Sequence, residues 1–165
     1  MAVRNPDNVL IGGYRVFIVD DDGGTPTKHE LGWMSGEAKI EEQANSTTVK
    51  EVHLTFGLLE CNIDTLIMLN PSASAIEGGF AVGTFQSDKT FTVELWHKKR
   101  SGKYLCYRIL KGKISGNITM FQINQDNESP LSIDIVGIAE PSKDTQHNLY
   151  TGIECDAEDA PGGGW

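Results

Sequence analysis

Apolar and polar residues alternate along much of the chain, which is the pattern typical of β-strands. In residues 47–56, Val52, Leu54 and Phe56 fall on one face and polar residues separate them. Residues 90–98 alternate in the same way. Further strands are predicted at residues 14–19, 80–85, 104–110, 113–123 and 131–139. The pattern therefore predicts a mostly β protein.

One segment has helical periodicity instead. Its apolar residues recur at the spacing i, i+4, i+7 and i+8, which places them on a single stripe of a helix. This stripe consists of Leu59, Ile63, Leu66 and Ile67. Pro71 should end the helix, because the residue before a proline is disfavoured in the α region. The spacing predicts one short helix over residues 58–69.

Two stretches lack a clear pattern. Residues 20–45 are polar and interrupted by glycine and proline, so we expect a long early loop with room for two short strands. Residues 142–165 are polar and acidic, and they predict a C-terminal tail that is mobile in the monomer. The predicted fold is a β domain over residues 1–141, built from two packed antiparallel sheets in a sandwich-like or barrel-like arrangement.

Composition adds an electrostatic constraint. The chain has 165 residues, the size of one domain, and 23 acidic against 14 basic residues give a net charge of -9. A field of that sign repels phosphate backbones, so non-specific nucleic-acid binding is disfavoured. The N-terminal segment does not have the pattern of a secretory signal, and no apolar run is long enough to cross a bilayer. We therefore expect a soluble product with no membrane partner.

The cysteines suggest no covalent framework. Cys61, Cys106 and Cys155 are too few and too widely spaced for a disulfide scaffold or a metal knuckle. Their odd number leaves at least one free thiol in a monomer, which favours a reducing compartment. Structural burial is the simpler interpretation of Cys61 and Cys106.

Motifs for catalysis are absent from the sequence. No phosphate-binding loop or nucleophile elbow occurs, and the histidines lack metal-ligand spacing. We expect no cofactor, no metal and no enzymatic activity. The alternative of a small β-sandwich enzyme or ligand-binding domain would depend on His53 or His97, acting with a cysteine.

Two charged segments stand out. Asp20, Asp21 and Asp22 form a run that a solvated turn explains better than a cation site, although it can also offer a negative patch to a positive partner. Residues 98–103 are predicted to form a basic hairpin tip. Its charges are those of Lys98, Lys99, Arg100 and Lys103. A solvated tip and a tip that docks on acidic surface of another copy are equally good interpretations.

The order of these features resembles that of the tail tube proteins of tailed bacteriophages. The segment Asn-Val-Leu-Ile-Gly-Gly-Tyr-Arg-Val at residues 8–16 is similar to their N-terminal segment. It is followed by a long polar loop that contains Leu-Gly-Trp at residues 31–33, and then by a strand that enters a helix at residues 57–62. Residues 133–139 resemble the last strand of the family.

The resemblance implies two packed sheets flanked by a helix, in a subunit that forms hexameric rings. Such rings stack into the hollow tail tube of a virion, assembled in the host cytoplasm, through which DNA is ejected. Partners would be other copies, other tail proteins and passing DNA that is not bound specifically. Tube proteins of type VI secretion and other contractile injection systems share this fold and are the alternative within the class.

Several residues become candidates for roles in such a tube. The long early loop would contact a neighbouring subunit, which makes its Trp33 a contact candidate. The other contact candidates are Asp20, Asp21, Asp22, Lys98, Lys99, Arg100 and Lys103. Strand alternation suggests that Glu94 and Asp134 face the lumen, where carboxylates would repel the DNA backbone.

Overall fold

The computed structural model of the chain describes residues 10–20, 27–31, 34–45, 48–58, 62–70, 72–84, 90–114, 125–126 and 131–156. Ten strands and one helix lie within these residues, so the predicted mostly β fold is confirmed. In chain order they are β1 (Leu10–Asp20), β2 (Thr27–Glu30), β3 (Met34–Asn45), β4 (Thr48–Leu58), α1 (Ile63–Leu69), β5 (Ala73–Ile76), β6 (Gly79–Val82), β7 (Phe91–Lys99), β8 (Tyr104–Ile114), β9 (Leu131–Gly137) and β10 (Tyr150–Cys155).

Eight strands form one antiparallel sheet in the order β2-β1-β7-β8-β9-β4-β3, with β10 attached to β8. Strands β5 and β6 form a separate hairpin. The long strand β8 has β7 on one side, while its other side pairs first with β10 at residues 104–109 and then with β9 at residues 112–114. Strands β10 and β9 therefore lie end to end along the same side of β8.

The large sheet curls so that its two halves face each other across the main core. That core combines apolar residues of β1, β7 and β8 with those of β9 and β4. Tyr14 of β1 is hydrogen-bonded to the backbone of Gly57 on β4, and the Tyr150 hydroxyl of β10 donates to Glu42 of β3 at 2.5 Å. We call β2, β1, β7, β8 and β10 the five-stranded layer, and β9, β4 and β3 the three-stranded layer. The sheet stays open and does not close into a barrel.

Two paired glycines allow the close approach at the point where β8 passes from one layer to the other. Gly112 of β8 pairs with Gly137 of β9. A Cβ atom on Gly137 would lie 2.5 Å from Ile109 Cγ2 and 2.7 Å from Val52 Cγ1, which is closer than real Cβ contacts. Core side chains from both layers therefore occupy the space that any larger residue would need.

The helix is shorter than predicted and buries a different face. It begins after Asn62, whose Oδ1 accepts a hydrogen bond from the Thr65 backbone N–H at 2.9 Å and so caps the first turn, while strand β4 continues to Leu58. Ile63, on the predicted apolar stripe, is 42% exposed, whereas Thr65 and Leu69 are buried. Leu59 lies outside the described residues.

For residues 20–45 the sequence predicts a long loop with room for two short strands; the structure has two strands there, and one of them is long. The segment contains β2 and the 12-residue β3, which pairs along β4 as the edge of the sheet. An edge strand borders another strand on one side only, so it can be rich in polar residues that sequence patterns assign to loops.

The C-terminal tail is also partly structured. Residues 150–155 form β10, which pairs with β8, and Cys155 is disulfide-bonded to Cys106. The expectations of a mobile tail and of unpaired thiols are therefore wrong for these residues. Their order comes from a backbone ladder and a covalent bond rather than from a core of their own. The cysteine count no longer supports a reducing compartment, and Cys61 lies outside the described residues.

Candidate functional site

The outer face of the five-stranded layer, opposite the main core, carries a second buried cluster. Phe17, Trp96 and Cys106 form it, and Ile153 and Cys155 of β10 pack against it. The strand register builds this cluster, because β1, β7, β8 and β10 are consecutive neighbours and each presents alternate residues to this face.

A fully buried carboxylate lies beside these aromatic rings. Glu94 is 0% exposed. Its Oε1 accepts a hydrogen bond from Trp96 Nε1 at 3.1 Å and lies 2.7 Å from Lys28 Nζ. Its Oε2 accepts from Arg108 Nη2 at 2.8 Å and from Arg108 Nε at 3.2 Å. One carboxylate thus pairs with two cations, Lys28 of β2 and Arg108 of β8.

Opposing effects act on the pKa of Glu94. Burial raises it, because the charged form is poorly solvated, but the hydrogen bonds from Lys28, Arg108 and Trp96 together lower it below its usual range. The carboxylate is therefore ionised at neutral pH. This ion-pair group is a fixed part of the fold, since neither Glu94 oxygen faces water.

Cations cover the rings on this face. The Lys28 ammonium lies 5.1 Å from the Trp96 ring centroid and 5.3 Å from that of Phe17. The Arg15 guanidinium lies 4.9 Å from the Phe17 centroid and forms a bidentate pair with Glu30, at 2.6 and 2.7 Å. This pairing lowers the pKa of Glu30. We call Arg15, Phe17, Lys28, Glu30, Glu94, Trp96 and Arg108 the outer-face cluster.

The prediction that Glu94 faces a lumen is therefore wrong. Alternation assigns the residue to the correct face, because Glu94 does lie on the side of the layer opposite the core. Arg108 of the adjacent strand β8 and Lys28 of β2, one strand further away, cover it, so its charge is not presented to solvent. Sequence reasoning missed Arg15, Lys28 and Arg108. The available signal was the spacing of Glu94 and Trp96, a carboxylate and an indole two residues apart on one strand face.

The basic tip is partly neutralised within the chain itself. Lys99 forms an ion pair with Glu154 of β10, and Lys103 lies 3.7 Å from Glu154 and 4.0 Å from Asp156. The hydrogen bond from Lys99 lowers the pKa of Glu154. Lys98 and Arg100 are exposed, and no carboxylate among the described residues pairs with them.

The outer face of the three-stranded layer presents a histidine between two carboxylates. His53 Nε2 lies 3.1 Å from Glu51 Oε1, and His53 Nδ1 lies 3.3 Å from Asp134 Oδ1. The hydrogen bond to Glu51, with that to Asp134, raises the pKa of His53. The Asp134 side chain is 42% exposed, so its carboxylate remains in contact with solvent. That Asp134 faces the lumen of a tube remains a prediction.

The remaining predicted site residues are the three aspartates, Trp33 and His97. Asp20 ends β1 and its side chain is outside the described part, as are Asp21, Asp22 and Trp33. His97 lies on β7, opposite Tyr14 and Leu105.

Chemistry based on thiols or metals finds little support here. Cys106 is held in its disulfide and is not available as a thiolate nucleophile. In the described ranges, no group of three or more His, Cys, Asp or Glu side chains could hold a metal ion. Among the residues that the structure describes, no helix is long and apolar enough to cross a membrane.

No protein-family model matches the chain, and no curated protein is significantly similar to it.

Proposed function

We propose that the chain is a structural subunit of a bacteriophage tail tube, which assembles with other copies into stacked, hexameric rings. The observation that carries the proposal is the open sheet. Within the described residues, β3 and β2 each pair with one strand and end the sheet. An unpaired edge is a template for pairing with another chain, and β3 offers 12 residues of it. A ring covers such edges with neighbouring subunits.

Charge complementarity indicates which two surfaces of neighbouring copies would meet. The exposed charged side chains of β3 are three glutamates and one lysine: Glu37, Lys39, Glu41 and Glu42. Lys98 and Arg100 are exposed at the hairpin tip between β7 and β8 and have no described partner. The basic tip of one copy therefore suits the acidic edge of the next, and opposite charges steer such contacts and set their register.

The overall charge agrees with a conduit for DNA. Copies at -9 each, repeated around a ring, surround a channel with a field that repels phosphates. Asp134 is the candidate for a carboxylate at that wall, since it stays exposed on the outer face of its layer. DNA passes such a wall without the phosphate contacts that would hold it.

Electron microscopy of negatively stained, concentrated protein tests the proposal. We expect rings or tubes with a central channel. A strictly monomeric species at every protein and salt concentration would overturn the proposal and favour a ligand-binding domain.

A charge reversal tests the docking surface. The Lys98→Glu/Arg100→Glu variant should slow or block tube growth, and the fold should survive because both side chains are exposed, Lys98 near the end of β7 and Arg100 in the turn that follows. The matched control, Lys50→Glu/Lys143→Glu, makes the same change in net charge at two other exposed lysines and should assemble normally. Light scattering during assembly measures both rates. Equal growth by the two variants would show that the tip is only solvated.

A further inference from the structure

Strand β10 is attached to the protein by few side chains. Each of its six residues is half-buried or exposed, and none is fully buried. In the described part of the chain it pairs with β8 alone. A strand that buries so little apolar surface adds little hydrophobic stabilisation of its own.

Side chains attach both ends of the strand, and at its start the Tyr150 hydroxyl donates to Glu42 of β3. Cys155 is disulfide-bonded to Cys106 of β8, and the preceding Glu154 forms an ion pair with Lys99. Cys106 itself is completely buried, and Cys155 and Ile153 of β10 pack against it. The disulfide is therefore the covalent attachment of β10 to β8, added to the backbone ladder between the two strands.

The segment before β10 can act as a tether. Residues 138–149 contain turns and no strand, and residues 141–147 are exposed. A few backbone hydrogen bonds hold this segment, among them Leu110 N–H to Leu149 O and Glu140 N–H to Asn148 O. Fully extended, residues 138–149 reach on the order of 40 Å, which is enough to carry β10 to an adjacent molecule.

We propose that β10 is an exchangeable strand, and that the edge of β8 at residues 104–109 binds the β10 of a second copy once the Cys106–Cys155 disulfide is reduced. A dithiol supplies the two electrons and two protons that convert the disulfide to two thiols, and it becomes a cyclic disulfide itself. The β10 of the second copy restores the same register and the same Lys99–Glu154 ion pair, so two chains together re-form every interaction that each chain gives up. High protein concentration favours the exchange, because the strand of the same chain competes at a fixed effective concentration.

Reoxidation then links the two exchanged chains by a covalent bond. Cys106 of one copy and Cys155 of another lose two electrons and two protons to a small-molecule disulfide, which is reduced to two thiols. The result is a disulfide between chains at the position where the structure shows one within a chain.

A mixing experiment detects this bond. Two variants are made in a Cys61→Ser background, one with Cys106→Ser and the other with Cys155→Ser and a mass tag. Neither can form the intramolecular disulfide. After mixing and oxidation with glutathione disulfide, we expect a covalent heterodimer on a non-reducing gel that neither variant forms alone. The Cys106–Cys155 linkage is confirmed by peptide mass.

The control removes the strand pairing and keeps the cysteines. Consecutive backbone N–H groups of a strand point to opposite sides, so the Gly152→Pro/Ile153→Pro double substitution must remove one that faces β8. Added to the Cys106→Ser variant, it should abolish the heterodimer. A heterodimer that persists with these prolines, or one that never forms with folded variants, overturns the proposal.

A second measurement keeps the test decisive if either variant fails to fold. The Cys61→Ser protein is reduced, and hydrogen exchange of the amides of residues 151–155 is compared with that of the oxidised protein. Faster exchange there, followed by covalent dimers on reoxidation of concentrated protein, supports the exchange. Unchanged protection overturns it. The readout does not depend on rings or tubes, so strand exchange and tube formation can fail separately.

Discussion

Glu94 and Asp134 lie on the outer faces of the two layers, and their surroundings differ sharply. Glu94 is 0% exposed beneath Lys28, Arg108 and Trp96. Asp134 is 42% exposed beside His53. Both are acidic residues at alternate positions of strands that are otherwise mostly apolar. The comparison teaches that alternation assigns a residue to a face of a sheet, whereas the side chains around that residue decide whether it contacts solvent.

The two environments have different energetic consequences. A partly exposed ion pair is screened by solvent and contributes about 0–1 kcal/mol to stability. Removal of one partner from a buried group leaves an uncompensated charge and costs about 3–5 kcal/mol. The outer-face cluster should therefore matter far more to the free energy of unfolding than the group around His53.

Neutralising each carboxylate tests this contrast directly. Glu94→Gln leaves the Lys28 and Arg108 cations facing a neutral group, and we expect it to lower the free energy of unfolding by about 3–5 kcal/mol. Asp134→Asn removes the same charge from the exposed face and should cost no more than about 1 kcal/mol. Urea titrations followed by tryptophan fluorescence measure both. Equal losses would show that burial of Glu94 has no energetic meaning.

A second test compares a substitution in the core between the two layers with one outside that core. Gly137→Ala adds a Cβ atom that meets Ile109 and Val52, and overpacking of this kind costs about 1–3 kcal/mol. Gly152→Ala is the control, because its added Cβ lies 3.5 Å from Tyr107 Cδ1, an ordinary contact distance. Thermal unfolding should show a lower midpoint for the first variant alone. A tolerated Gly137→Ala would mean that the layers separate easily at this crossing.

The smallest effect concerns the pH dependence of the His53 group. Its pKa is raised in the folded protein, so its contribution to stability is fully present below the unfolded value of about 6.5 and is lost as the pH rises through the folded value. His53→Gln should therefore cost at most about 1 kcal/mol at low pH and progressively less towards alkaline pH. Urea midpoints of both proteins, measured from acidic to alkaline pH, give this difference. A stability difference that grows with pH would contradict the assignment.

Local sequence patterns were sufficient for most strands of the core. Strands are present around the predicted residues 14–19, 47–56, 90–98, 104–110 and 131–139. Apolar residues at every second position share one face when the backbone is extended, so this pattern indicates a strand with one face on the core. The polar edge strand β3 is much longer than the short strands expected in residues 20–45, for the complementary reason. It packs few side chains, so its strand character depends on pairing with β4 rather than on its own pattern.

The candidate site depended on contacts that a linear pattern does not contain. Lys28 and Glu94 meet because β1 lies between β2 and β7, and the order of strands cannot be derived from alternation. The same holds for Cys106 and Cys155, whose separation of 49 residues is bridged by the register of β10 on β8. The helix begins later than predicted because Asn62 caps its first turn, and the apolar spacing alone does not locate such a cap.

The pairing of β4 with β9 constrains the order of events while the chain is being synthesised. Val52 pairs with Gly137, so one side of β4 stays open until most of the polypeptide has left the ribosome. Until then, the side chains of Val52, Leu54 and Phe56, which end in the core, lack the strand that completes their layer. Pairings between distant segments form slowly and expose nascent chains to aggregation, so this chain has a long interval in which a chaperone can bind the open edge of β4.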